Sequence, residues 1–148
     1  MEHRLGAIMN ILDFAWCIRE SAPKLQWIKT DPGMGVISLL IASADHHKEK
    51  CKHYNLEQLL NCEIDDALEQ IKQSTEKQLI ILNFGQYGLN NSYEKDEDQK
   101  RFDKLLNWIL NLNENIRIAL VFNYGWNRSR RIKYDPAYID HFCIYEIE

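Results

Sequence analysis

The sequence predicts an α/β domain, with α+β as the neighbouring class, built on a mixed sheet of about five strands with two to three helices. Three observations predict it. Segments of strand length and pattern recur at 24–30, 36–41, 78–84, 116–122 and 141–147. Segments with apolar residues at three- and four-residue spacing lie among them. Residues 55–122 alternate helix, strand, helix, strand, the pattern of parallel strands joined by crossover helices. A chain of 148 residues is the length of one domain, 1–148, and buries a sufficient core without cross-links.

Residues 8–20, "IMNILDFAWCIRE", place Ile8, Ile11, Leu12, Ala15, Trp16 and Arg19 at helical spacing, so a helix is favoured over a strand there. "KLQWIKT" at 24–30 is a strand, and "TDPGMG" follows, with Pro32 and Gly33 suited to the centre of a type II turn. "VISLLI" at 36–41 is a continuous apolar run, expected as the second strand of a hairpin. Residues 45–54 are polar and expected as a loop or short helix. From Asn55, a capping residue, Leu56, Leu59, Leu60, Ile64, Ala67, Leu68 and Ile71 recur helically, with Asp65 able to cap a second segment. "QLIILNF" at 78–84 is a strand. Residues 96–112 form the clearest helix: Asp96, Glu97 and Asp98 suit its positive N-terminus, and Phe102, Leu105, Leu106, Ile109 and Leu112 form its apolar stripe. "IRIALVF" at 116–122 and "HFCIYEI" at 141–147 are the remaining strands.

Composition narrows the function classes. With 45% hydrophobic and 27% charged residues the chain reads as an ordinary globular protein. Its longest apolar run, 35–44, is half of a membrane span, and Glu2 with no small-residue cleavage site argues against a signal peptide. Four cysteines without a Cys-x-x-Cys pattern fit reduced thiols, so a cytoplasmic location without membrane association is expected. The net charge of −4 disfavours wholesale binding to nucleic acid. It averages an acidic stretch, "YEKDEDQK" at 93–100, with a basic one, "RSRRIK" at 128–133.

Two strand ends share Asn-aromatic-Gly: "NFGQYG" at 83–88 and "NYGWNR" at 123–128. If their strands are parallel neighbours, both tripeptides lie on the edge where open α/β sheets bind ligands. Asn and Gly are also ordinary turn residues, and the flanking helices do not match, so the pair marks a place rather than a duplication. The candidate partner- or ligand-binding residues are Asn83, Tyr87, Glu94, Asp96, Glu97, Asp98, Asn123, Tyr124, Trp126, Arg128, Arg130 and Arg131. Trp, Tyr and Arg are what protein interfaces enrich, and they also suit base stacking and phosphate contact.

Catalytic chemistry has little support. No serine sits in Gly-x-Ser-x-Gly. His141 and Cys143 share a strand face as a packed pair, and Asp98–Lys100 opens a helix rather than lying on a strand. "DPGMG" lacks the Lys and Ser/Thr of a phosphate loop and is expected as a plain turn. His47, Cys51 and His53 are the metal-ligand candidates, but they supply only half of a zinc pattern; no metal or other cofactor is expected. The function predicted is a small cytosolic protein-binding module of inhibitor or immunity type, whose partner is a toxin or enzyme. The alternatives are a nucleotide- or phosphate-binding domain or small enzyme using the loops after 78–84 and 116–122, and a nucleic-acid binder using Arg128–Lys133.

Overall fold

The computed structural model describes residues 7–59, 64–85, 96–123 and 140–148. Six strands form one sheet: β1 (Ala7–Met9), β2 (Leu25–Thr30), β3 (Lys50–Asn55), β4 (Gln78–Gly85), β5 (Ile116–Asn123) and β6 (Cys143–Ile147). Their order across the sheet is β1-β6-β2-β5-β4-β3, and every pairing is parallel. The helices are α1 (Ile11–Glu20), α2 (Val36–His46), α3 (Leu56–Leu59), α4 (Asp65–Gln73) and α5 (Asp96–Leu110).

The α/β class and the helix–strand–helix–strand unit stand as the sequence predicts; the strand directions do not. The run at 36–41 is the first half of α2, not a strand, so the expected hairpin is absent and the sheet is parallel rather than mixed. An apolar run cannot by itself distinguish a buried strand from a buried helix. Here the deciding feature is its continuation: Val36, Leu40, Ser43 and Ala44 fall on one buried face, a stripe that closes only when the run extends to His46. The polar stretch at 45–54 in turn contains β3, an edge strand whose Lys50, Lys52, His53 and Asn55 are exposed. Charged residues on an edge discourage further strand pairing, and here they also hide the strand from a search for apolar alternation. Residues 8–20 divide between β1 and α1. Asn10 caps α1, its Oδ1 accepting from Asp13 N at 2.8 Å.

Helices cover both faces of the sheet. On one, α1 and α2 bury Phe14, Ile18, Val36, Leu40 and Ala44 against Ile28, Leu79, Ile81, Ala119, Val121, Tyr145 and Ile147. On the other, α3, α4 and α5 bury Leu59, Leu68, Ile71, Leu105, Leu106 and Ile109 against Trp27, Ile80, Leu82, Phe84, Ile118, Leu120 and Phe122. Two covered faces explain why β4 and β5 are apolar at nearly every position. An aromatic row crosses the second core. Trp27 stacks on Phe122 at 4.8 Å between centroids, and Phe122 on Phe84 at 5.1 Å.

Among the described residues, four charged side chains are buried in this frame. Arg117 on β5 makes two bonds to Glu49, from Nε at 2.8 Å and Nη2 at 2.7 Å, and a third to the Pro23 carbonyl at 3.3 Å. Lys29 on β2 faces Glu146 on β6 at 3.6 Å. No described helix is long and apolar enough to cross a membrane.

Candidate functional site

Because every strand is parallel, the ends of β2, β4 and β5 share one edge. Thr30 lies opposite Asn123, and Asn83 lies opposite Val121, two residues before Asn123. Thr30, Asn83 and Asn123 all face the α1–α2 side, since Ile28, Ile81 and Val121, two positions earlier on each strand, pack there. The loop from β2 to α2 closes over this row. Together they form a cleft of about 220 Å³ lined by Thr30, Asp31, Gly33, Met34, Gly35, Val36, Ile37, Ser38, Asn83, Val121 and Asn123.

The two asparagines are brought together as the sequence suggests, but their work differs. The Asn83 side chain accepts a bond from Gly85 N at 3.1 Å, which shapes the irregularity where β4 slips register against β5 between Asn83 and Gly85. Its carbonyl therefore serves the strand end. Gly85 has φ 57, a left-handed conformation that glycine adopts without steric cost. Asn123, half-buried at the end of β5, lines the cleft itself.

The turn at 31–35 is the part sequence reasoning missed. Gly33 has φ 78, as the second central position of a type II turn requires, but the turn leads into α2 and not into a second strand. Gly35, at φ 77, is the residue before the helix. Strand, glycine loop, helix is the layout of phosphate-binding loops, in which helix-head N–H groups receive an anion. Aligned on that pattern, Gly-x-x-x-x-Gly-Lys-Ser/Thr, the positions are held by Thr30, Gly35, Val36 and Ile37. The lysine is replaced by a buried valine packed into the core, and the metal-binding hydroxyl by an isoleucine packed against it. No Lys, Arg or His is among the described residues lining the cleft. Among the described residues it offers backbone donors, two amides, the hydroxyls of Thr30 and Ser38 and the Asp31 carboxylate, and no cation. The signal was present in "GMG" followed by an apolar run; it was obscured because the run was taken for a strand.

The remaining candidates divide. Asp96, Glu97 and Asp98 stand in the first turn of α5, and their side chains lie outside what the structure describes. Tyr87, Glu94, Tyr124, Trp126, Arg128, Arg130 and Arg131 lie outside the described residues altogether. The metal candidates are not gathered. His47 Nε2 contacts the Ile18 carbonyl at 3.0 Å, while Cys51 and His53 stand on edge strand β3. Burial, then the Glu49 carboxylate, pushes the Cys51 thiol up, with Arg117 opposing. Among the described residues no group of three or more His, Cys, Asp or Glu is placed to hold a metal. Cys143 and His141 are both exposed. Burial first, then a hydrogen bond with Cys143, pushes the Tyr145 hydroxyl far above its ordinary range.

No protein-family model matches this sequence, and no match was found among curated proteins. The fold does recur among solved structures. One chain of the E. coli MS115-1 HORMA:CdnC:Trip13 complex superposes with a TM-score of 0.53 at 16% identity, over 84% of this chain and 48% of that one. The likeness is one of fold, and this chain spans about half the length of that neighbour.

Proposed function

We propose that this chain is a binding module that works by associating with a protein partner, with no phosphoryl chemistry of its own. The observation that carries the proposal is the pair Val36–Ile37 at the head of α2. The edge keeps the backbone form of an anion cradle, while the groups that would hold a metal and neutralise a transferring phosphate are replaced by core residues. A site that has kept its shape and lacks those charges suits recognition better than turnover. Membership of the structural neighbour in a three-component protein complex supports the same direction. In its finer form the module neutralises its partner as an inhibitor or immunity protein does. The acidic segment 94–98 then meets a cationic surface, or Trp126 and Arg128 anchor in a pocket; both segments follow, in sequence, the two strands that end at the cleft.

The test is reconstitution of a stoichiometric complex from the chain's own host, with the captured protein identified and purified. Trp126→Ala, or charge reversal at 94–98, is expected to weaken that complex by at least tenfold. A complex indifferent to both changes would remove these surfaces.

A second reading is favoured by the two left-handed glycines at the helix head: the cleft holds a small anionic ligand. It predicts a thermal shift with ATP, GTP or inorganic phosphate that Asn123→Ala reduces. A flat response to all three eliminates it.

A further inference from the structure

The outer face of the α1–α2 layer carries large apolar side chains that the described residues leave exposed. Leu12 and Trp16, one turn apart on α1, are 78% and 65% exposed. Beside them runs a groove between α1 and α2 of about 370 Å³, whose apolar walls include Ala15, Leu39 and Ala42. Small residues open it, and at one end it carries Arg19 from α1 and Asp45 from α2. The face therefore holds both members of two complementary pairs: a projecting indole beside an apolar hole, and a cation beside an anion.

We propose that this face binds a second copy of the chain about a two-fold axis. A surface that is its own complement is what an isologous contact requires. An axis running along the groove sets α1 of each copy over α2 of the other. Trp16 of one then packs against Leu39 and Ala42 of its partner, and Arg19 stands beside the partner's Asp45. An unrelated partner would need only one member of each pair on this chain; the presence of both favours self-association. Size sets the strength. Helices of 10 and 11 residues at 1.5 Å per residue are about 16 Å long. Side by side they present a face of roughly 16 by 20 Å. That is below the ~800 Å² per partner of a standard interface, so a weak, concentration-dependent dimer is expected. The surface is separate from the carboxyl-edge cleft, and the proposal stands independently of the function proposed above.

Sedimentation velocity of the full chain from 5 to 300 µM tests it. The expected result is a concentration-dependent monomer–dimer equilibrium that Trp16→Ala weakens by at least tenfold. Arg19→Asp and Asp45→Arg each set like charges across the contact and weaken it severalfold. Mixed one to one, the two variants restore opposite charges at both sites and recover the wild-type constant. All three side chains are exposed, and circular dichroism confirms that each variant is folded. A wild-type chain that stays monomeric to 300 µM overturns the proposal and leaves the face to a different protein. So does a dimer unmoved by Trp16→Ala, or one that the charge-swapped mixture fails to restore. Neither result bears on capture through Trp126 or the 94–98 segment, so the two proposals fail separately.

Discussion

Removal of the Glu49 carboxylate tests whether the buried Arg117–Glu49 pair holds the sheet's amino edge together. The two side chains are 7% and 2% exposed and joined by two hydrogen bonds. In Glu49→Ala the guanidinium keeps only its 3.3 Å bond to the Pro23 carbonyl, and its charge stays buried. Breaking one side of such a pair costs about 3–5 kcal/mol, a fifth or more of the ~5–15 kcal/mol that stabilises a typical domain. With roughly 2–4 °C of melting temperature per kcal/mol at this size, the midpoint should fall by about 6–20 °C. Urea denaturation followed by circular dichroism measures the loss directly. The double variant Glu49→Leu/Arg117→Met, which removes both charges and keeps volume, should recover most of it, because the penalty lies in the orphaned charge and not in the missing attraction. Cys51 supplies a second readout. Glu49 is one of the groups raising its pKa and Arg117 opposes it, so Glu49→Ala should speed alkylation of Cys51 at pH 8 in the folded protein. A loss below about 1 kcal/mol, the value of an exposed pair, or a double variant as unstable as the single, would refute the reasoning.

Three further outcomes follow from other parts of the fold. Phe122→Ala should cost about 3–5 kcal/mol, since its ring lies between Trp27 and Phe84; loss of that stacking should also change Trp27 fluorescence, and an unchanged stability curve counts against the aromatic row. Gly85→Ala should cost about 1–2 kcal/mol because φ 57 is left-handed, with Gly85→Asn losing less; equal losses would mean that side-chain contacts, not backbone conformation, set the cost. The hydrogen bond from Arg101 holds the Asp65 carboxyl below its usual range. A depressed folded-state pKa stabilises above the unfolded value near 4 and is lost as pH falls through the folded value. Asp65→Asn should therefore be less stable than wild type at pH 7, by about 1 kcal/mol or less because the carboxylate is partly exposed. The two melting curves should converge toward pH 2–3, and a gap that persists there contradicts the assignment.

The elements whose pattern is intrinsic to the chain were legible in the residues alone. The strands at 78–84 and 116–122 were legible because their apolar centres, 79–82 and 118–122, run without a polar residue and require cover on both faces. The helix from Asp96 was legible because its apolar residues return at three and four. Together they placed Asn83 and Asn123 on one edge, and that part of the candidate site needed no coordinates. The identity of the run at 36–41 was set by its tertiary surroundings. Val, Ile and Leu suit a buried strand and a buried helix alike, and the choice is set by what lies on either side: a sheet already filled by β5 and β4, with its open face awaiting α2. That one choice turned a hairpin turn into a glycine loop at the head of a helix and made the sheet wholly parallel. It brought Thr30 and Gly33–Gly35 over the two asparagines. The edge strand β3 was hidden for the opposite reason: at the border of a sheet, charge protects the strand and removes the apolar alternation by which strands are recognised. The exposed face of α1 belongs to the same class. Helical spacing at 8–20 picks out Leu12 and Trp16, whereas the structure buries Phe14 and Ile18 and leaves Leu12 and Trp16 exposed; which face is buried depends on how the helix is rotated against the sheet.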